Sequence, residues 1–156
     1  MKQQTIKQSV SISGTGLHTG QKGTLTFNPA PEHHGIKFRR VDIEGQPVVE
    51  ARVENVVDTS RGTTIAQNGV RVYTVEHILA SVRGAGIDNI LIDINCEEPP
   101  IQDGSAKNMI ETLKSAGIVE QNAEREYLRI DKEVKYINEK IGAEITIVPA
   151  NDFRME

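Results

Sequence analysis

Two segments of the chain carry apolar residues at the i, i+3, i+4 and i+7 spacing of an amphipathic helix. The apolar faces consist of Val75, Ile78, Leu79 and Val82 in the first segment and of Ala106, Met109, Ile110 and Leu113 in the second. Thr74 and Ser105 are the predicted N-caps, because their hydroxyl groups can accept a hydrogen bond from a free backbone N–H. Gly84 or Gly86 is expected to end the first helix, and Gly117 the second.

Elsewhere apolar and polar residues alternate, as they do in half-buried strands. The predicted strands cover residues 4–12, 22–28, 36–41, 48–53, 70–73, 88–96, 127–137 and 143–148. A further strand is expected from Ile65 to the Asn68-Gly69 pair, which favours a type I′ hairpin turn. The segment 88–96 is the most apolar and is the predicted central strand. Because most strands precede the helices, the predicted fold class is α+β, a mainly antiparallel sheet covered by two helices.

A change of composition near residue 121 predicts a domain boundary. Residues 121–126 are polar, and we place a first domain at 1–122 and the start of a second at 123–156. The second segment, of roughly 30 residues, is too short to bury an independent core. We therefore expect the second domain to be incomplete in this sequence.

Composition narrows the classes of partner and compartment. The net charge of −4, without any run of Lys or Arg, argues against nucleic acid or an anionic membrane as a partner. No apolar run approaches the roughly 18 residues of a membrane span, and the polar start at residues 1–6 lacks a signal peptide. A single cysteine, Cys96, fits a reducing compartment. The predicted protein is soluble and cytoplasmic.

The first helix opens with Glu76 and His77, the strongest chemical signal in the chain. On a helical wheel both side chains point away from the apolar face of their own helix. In the first turn the helix dipole favours a carboxylate and a neutral imidazole, which is the form that binds metal ions. An adjacent carboxylate can take a proton from a metal-bound water. One histidine is only part of the three protein ligands typical of catalytic zinc, so a solvent-facing Glu-His pair remains the alternative.

The glycine-rich stretch 13–20 is predicted to be a tight hairpin connection. No strand–loop–helix unit with a Lys-Ser or Lys-Thr ending follows it, which excludes a P-loop. His18 within it is either a structural hydrogen-bonding residue or a site residue. The adjacent His33 and His34 lie in a predicted loop, where a solvated turn is favoured over a metal site.

Five stretches occur together in one order and spacing over nearly the whole chain. They are Gly14-Thr15-Gly16-Leu17-His18-Thr19-Gly20, Pro29-Ala30-Pro31, Thr74-Val75-Glu76-His77, Gly86-Ile87-Asp88-Asn89-Ile90 and Ile101-Gln102-Asp103-Gly104-Ser105-Ala106. In these stretches the chain resembles the UDP-3-O-acyl-N-acetylglucosamine deacetylases, the zinc amidases of lipid A biosynthesis. Any one of the stretches alone would be a weak signal.

The resemblance implies two similar α+β domains with the active site between them, of which this sequence holds the first and a truncated second. It implies one zinc ion with His77 as a ligand and Glu76 as the general base. The water that Glu76 activates would attack the N-acetyl group of UDP-3-O-acyl-N-acetylglucosamine and release acetate. In the family a histidine, an aspartate four residues later and a further histidine acting as general acid come from the second domain. No histidine follows His77 here.

The resemblance also implies less specific substrate contacts. Leu17 and His18 lie in the matching glycine-rich stretch. The segment 60–62, which is Ser60, Arg61 and Gly62, falls at the mouth of the acyl-chain passage, although it departs from the bulkier Met- and Cys-containing version of relatives. Lys140 matches a lysine that meets the nucleotide diphosphate, or is an exposed hairpin lysine.

Two functions follow from the sequence. The first is the N-terminal part of a zinc deacetylase, which would be inactive without the remaining zinc ligands. The second is a naturally short, non-catalytic α+β module that binds a partner through the face that would otherwise meet the second domain. If the second domain is missing, we expect the face carrying Glu76 and His77, together with the hairpin at 127–148, to expose apolar area and to favour self-association.

Overall fold

The structure, a computed structural model, describes residues 1–151 and 154. The chain separates into two units, Met1–Arg125 and Glu126–Glu156. This division falls three residues after the boundary predicted between residues 122 and 123, which lies inside the strand Ile118–Glu124. That the units are separate domains remains a prediction.

The first unit contains ten strands and two helices, all within the described part of the chain. The strands are β1 (Lys2–Ile6), β2 (Val10–Thr15), β3 (Lys22–Pro29), β4 (Ile36–Arg40), β5 (Val48–Glu50), β6 (Val56–Asp58), β7 (Thr64–Gln67), β8 (Val70–Val72), β9 (Ile90–Ile94) and β10 (Ile118–Glu124). The helices are α1 (Glu76–Gly84) and α2 (Lys107–Ser115), and Val53–Asn55 forms a 3₁₀ turn. The strands form a five-stranded sheet in the order β2-β3-β9-β4-β5, a three-stranded sheet β6-β7-β8 and the pair β1-β10.

Strand β9 is the central strand of the five-stranded sheet, which confirms the prediction from its apolar sequence. It pairs antiparallel with β3 and parallel with β4. Successive side chains of a strand point to opposite faces of the sheet. Ile90, Ile92 and Ile94 are therefore fully buried on one face, while Leu91 and Asp93 lie half-buried on the other.

The hydrophobic core lies between the buried face of this sheet and the two helices. One cluster joins sheet residues to helix residues, among them Leu25, Phe27, Phe38, Ile90, Ile92 and Ile94 with Ile78, Val82, Met109 and Leu113. Four of these apolar residues come from the helices, so each helix buries the face that its periodicity predicts. The α+β class, a mainly antiparallel sheet covered by two helices, is confirmed.

The predicted helix ends are confirmed. The capping hydrogen bond predicted for Ser105 is present, whereas Thr74 does not cap α1. Thr74 and Ser105 each lie one residue before the cap position, and neither cap has a side-chain hydrogen bond. The hydroxyl of Thr74 instead donates to Glu98, at 2.9 Å. The hydroxyl of Ser105 accepts a bond from the backbone N–H of Lys107 at 3.2 Å. Tertiary bonding of Thr74 thus replaces the local cap that its residue type favours.

Two strand predictions are also wrong. Residues 4–12 do not form one strand, because they are divided between β1 and β2, which belong to different sheets. Residues 121–126 are not simply a polar boundary, since β10 continues to Glu124 and pairs with β1. Half-buried and exposed residues fill β10, so its sequence lacks the buried apolar face that marks a strand. The Asn68-Gly69 turn is confirmed, with the positive φ angles of 52° and 80° that a type I′ turn requires.

A buried amide network attaches the β1-β10 pair to the rest of the unit. Asn89, only 2% exposed, donates from its side chain to Gln3 Oε1 and to Gln121 Oε1, each at 2.8 Å. Its own side-chain oxygen accepts from Gly35 N at 2.8 Å. The backbone N–H of His33 also bonds Gln3, at 3.0 Å, so the loop that contains His33 is part of the network. Buried amides need such partners, and their satisfaction fixes the position of the outer strands.

The second unit contains an antiparallel hairpin of β11 (Val134–Asn138) and β12 (Ala143–Ile147), which confirms the predicted hairpin. The strand predicted at 127–137 is wrong in its first part, because residues 127–133 do not belong to a strand. Its apolar side chains are largely exposed, for example Tyr136 at 59% and Ile145 at 60%. Among the residues that the structure describes, no helix is long and apolar enough to cross a membrane. Self-association through exposed apolar area stays a prediction.

We expect Ile92→Ala to lower the free energy of unfolding by about 3 kcal/mol, because it empties a fully buried site in the central strand. Leu91→Ala is the matched control, since this neighbour lies on the half-exposed face, and it should cost less than half as much. Urea unfolding followed by circular dichroism measures both values. Equal losses for the two variants would contradict the proposed location of the core.

Candidate functional site

Glu76 and His77 are the first two residues of α1 and form the centre of the candidate site. Both side chains are half-buried, between the fully buried Val75 and Ile78. The helix therefore turns its apolar face to the core and presents the Glu-His pair on its outer side. This is the orientation that the periodicity predicts.

The ring of His77 is held by a backbone carbonyl. Its Nδ1 lies 3.1 Å from the carbonyl oxygen of Gly104. Because a carbonyl oxygen can only accept, Nδ1 donates this hydrogen bond, which leaves Nε2 as the ring nitrogen available to a metal ion. Histidine ligands of metal ions commonly bond a carbonyl through the other ring nitrogen in this way, which fixes both tautomer and orientation. The environment of His77 thus fits a metal ligand that binds through Nε2.

The carboxylate of Glu76 is oriented by the loop before β7. Its Oε2 accepts a hydrogen bond from the backbone N–H of Thr63 at 2.8 Å. A Cβ placed on Gly62 would stand only 3.0 Å from Glu76 Oε1, so the absence of a side chain lets this loop approach closely. The interaction brings two residues that the sequence singles out, Glu76 and Gly62, into contact.

A cavity of about 210 Å³ lies beside this loop. His18, Ser60, Arg61 and Gly62 contribute to its wall, together with Thr74. His18 Nε2 lies 3.1 Å from the carbonyl oxygen of Arg61, which joins the glycine-rich stretch to the 60–62 segment. Four of the six predicted substrate-binding residues therefore line one cavity.

The other two predicted substrate-binding residues lie elsewhere. Leu17 adjoins His18 in the chain and is 56% exposed. Lys140 belongs to the second unit, in the turn of the β11–β12 hairpin, where its side chain is exposed. Its backbone N–H donates to the Asn138 side chain at 3.2 Å, a bond within the turn. A role for either residue stays a prediction.

Sequence reasoning missed Glu98, a fully buried carboxylate at the base of this cavity. Its two oxygens accept hydrogen bonds from the backbone of His18 at 3.0 and 3.1 Å. Thr19 donates to it from both backbone and hydroxyl, at 2.7 and 2.8 Å, and the Thr74 hydroxyl donates at 2.9 Å. A Cβ on Gly16 would stand 2.6 Å from Glu98 Oε2, so only glycine fits there.

A signal for this residue is present in the sequence. Glu97-Glu98-Pro99-Pro100 follows the central strand and is predicted only to break it. Both prolines are buried, which keeps the segment against the core and carries one of the two carboxylates inside. A Glu-Glu pair between an apolar strand and two prolines therefore indicates that one of the two carboxylates can be buried. The hydrogen-bond donors that compensate for the burial of this carboxylate are distant in sequence, so the neighbouring residues do not predict them.

The charge of Glu98 is stabilised by its donors. Burial alone would raise the pKa of this carboxyl, but the hydrogen bonds from Thr19, His18 and Thr74 outweigh it and lower the pKa below its ordinary value of 4.5. Among residues 1–151 and 154, no group of three or more His, Cys, Asp and Glu side chains could hold a metal ion.

We expect Glu98→Gln to lower the free energy of unfolding at pH 7 by about 3 kcal/mol, because four donors lose an ionised acceptor. Since folding lowers the pKa of Glu98, its ionised form stabilises the fold above pH 4.5, and that contribution is lost as the pH falls through the folded pKa. The difference between wild type and variant should therefore shrink on acidification, as urea unfolding at a series of pH values would measure. Glu97→Gln, at an exposed neighbour, is the control. A difference that stays constant from neutral to acid pH would contradict this account.

Comparison with known proteins supports the resemblance seen in the sequence. Residues 3–156 match the family model described as LpxC, UDP-3-O-acyl N-acetylglycosamine deacetylase. The chain is 52% identical over 136 residues to the UDP-3-O-acyl-N-acetylglucosamine deacetylase of Saccharophagus degradans, covering 86% of this chain and 44% of the relative. The deacetylase of Teredinibacter turnerae is 43% identical over 155 residues, covering 99% of this chain and 50% of its own length.

A fused relative gives a similar match. The bifunctional enzyme LpxC/FabZ of Bacteroides thetaiotaomicron is 44% identical over 155 residues, which are 99% of this chain and 34% of that enzyme. The chain thus spans between a third and a half of the length of these relatives. Since the family model covers nearly all of the sequence, the chain belongs to the UDP-3-O-acyl-N-acetylglucosamine deacetylase family.

Proposed function

We propose that this chain contributes Glu76 and His77 to a zinc-dependent active site that removes the acetyl group from UDP-3-O-acyl-N-acetylglucosamine. The observation that carries the proposal is the 3.1 Å contact between His77 Nδ1 and the Gly104 carbonyl, which prepares Nε2 for a metal ion. The names of the deacetylases of Saccharophagus degradans and Teredinibacter turnerae supply the substrate. Further zinc ligands are proposed to come from the part of the family's length that this chain does not span.

When bound, the zinc ion would supply a Lewis acid for the amide carbonyl and for the attacking water. His77 would hold that ion through Nε2, and the Nδ1 contact with the Gly104 carbonyl fixes the orientation of its ring.

Glu76 acts as the general base. As water oxygen bonds to the acetyl carbon, Glu76 accepts the proton that the water gives up. The bond between that carbon and the sugar nitrogen then breaks as the nitrogen takes up a proton from a general acid, proposed to come from the part of the family's length that this chain does not span, and acetate leaves. The Thr63 N–H at 2.8 Å from Oε2 holds the carboxylate in one orientation during proton transfer.

The substrate is proposed to lie along the cavity wall formed by His18, Ser60, Arg61 and Gly62. These residues share a cavity of about 210 Å³, and Gly62 also touches the Glu76 carboxylate. The arrangement connects a binding surface to the catalytic carboxylate through one loop. Leu17 and Lys140 are proposed as further contacts to the acyl chain and to the nucleotide diphosphate.

The test uses this chain fused to the part of the Teredinibacter turnerae deacetylase that lies outside the matched half. We expect the fusion to hydrolyse the UDP-sugar and the chain alone to have no significant activity. Glu76→Gln in the fusion should lower kcat roughly 10²–10⁴-fold, because the base is lost while the metal ligand remains. Glu111→Gln, an exposed glutamate on α2, is the matched control and should retain full rate.

Full activity of the Glu76→Gln fusion would overturn the role of Glu76. Turnover by the pure, zinc-loaded chain alone at the rate of the fusion would overturn the proposal that further ligands are needed. A wild-type fusion that folds and binds zinc but does not turn over would favour a non-catalytic partner-binding module.

A further inference from the structure

The backbone immediately before the Glu-His pair has an unusual conformation. Thr74 adopts a φ of 51°, in the left-handed region that β-branched residues rarely enter. Its side chain is 5% exposed, so solvent does not account for the geometry. The residue is the point at which the chain leaves β8 and turns into α1. Conformations of this kind persist only where surrounding contacts enforce them.

Three hydrogen bonds enforce the conformation of Thr74. Its hydroxyl donates to Glu98 Oε1 at 2.9 Å. On one side Tyr73 N donates to the carbonyl of Glu97 at 2.9 Å, and on the other Val75 N donates to the carbonyl of Thr63 at 3.1 Å. The two backbone bonds fix the flanking peptides, and the bond from the hydroxyl is the one that holds Thr74 itself.

The same carboxylate also holds the glycine-rich stretch. His18 and Thr19 donate three hydrogen bonds to Glu98 Oε2 at 3.0, 2.7 and 2.8 Å. The ring of His18 in turn contacts the carbonyl of Arg61, and the next residue, Gly62, packs against Glu76. Glu98 is therefore connected to the Glu-His pair by two routes, one through Thr74 and one through the 60–62 segment.

We propose that Glu98 is a positioning residue, which holds Thr74 in its left-handed conformation and thereby sets the direction in which Glu76 and His77 leave the sheet. Its meaning for catalysis rests on the proposed function. The effect on geometry does not, because it can be observed without turnover. The lowered pKa of Glu98 agrees with the role, since it keeps the acceptor ionised for its four donors near neutral pH.

Two signals in the nuclear magnetic resonance spectrum of the labelled chain report the geometry directly. One is the backbone amide of Thr63, which bonds Glu76, and the other is the Nδ1–H of His77, which bonds Gly104. Glu98→Gln should shift both signals. Asp88→Asn is the matched control, because it removes a carboxylate that is only 11% exposed and that bonds Gln4 N at 2.9 Å, away from the site. We expect this control to lower the melting temperature without shifting either signal.

A pair of variants at Thr74 separates positioning from simple stabilisation. Thr74→Val keeps the branched shape but removes the donor to Glu98, so the left-handed conformation loses its support and both signals should shift. Thr74→Gly removes more atoms yet adopts positive φ freely, so it should shift them less. In the fusion, kcat should follow the same order, with Thr74→Val the lower.

The proposal is overturned if Thr74→Val leaves both signals in place, or if Thr74→Gly shifts them more than Thr74→Val. It is also overturned if Glu98→Gln behaves like Asp88→Asn. Should Glu98→Gln fail to fold, the two Thr74 variants still decide the matter. A fusion without deacetylase activity, in which these shifts nevertheless occur, would reject the proposed function and retain the positioning role.

Discussion

The buried carboxylate of Glu98 is the constraint on which the site depends. A carboxylate with no exposed surface destabilises a fold unless donors compensate for the lost water, and here three residues supply them. Because these donors come from the glycine-rich stretch and from Thr74, two residues before α1, satisfying one charge also sets the relative position of two segments. Gly16 is also required, because a side chain at this position would collide with the Glu98 carboxylate. The residues proposed to act on substrate lie on or next to the two segments that bond Glu98.

Sequence periodicity was sufficient for the parts of the fold that obey local rules. The apolar segment 88–96 predicts a central strand, and the Asn68-Gly69 pair predicts a hairpin turn, because each signal lies within the segment itself. The β1-β10 pair escaped prediction because it is attached by amides far apart in sequence, such as Asn89 and Gln121. Thr74 was misassigned for a related reason: a distant acceptor outcompetes the local cap that a threonine favours. Local propensity cannot anticipate either outcome.

The candidate site divides in the same way. Glu76 and His77 can be picked out by their residue types and their position on the helix, and the structure adds the bonds to Thr63 and Gly104 that orient them. Among the described residues no metal-binding group of three is assembled, while the chain spans between a third and a half of the length of the relatives it matches. The partial coverage agrees with the proposal that the chain supplies one zinc ligand and one base, and that the remaining ligands come from other parts of the family's length.

The most direct test of that account is the zinc affinity of this chain, measured by calorimetry, beside that of the fusion to the remaining half of the Teredinibacter turnerae deacetylase. The same titrations with His77→Ala in both proteins identify the ligand. The account predicts weak binding by the chain alone and tight binding by the fusion that is lost with His77→Ala. Tight binding by the chain alone that survives His77→Ala would contradict it, because other side chains, such as His18 or the His33-His34 pair, would then form the metal site.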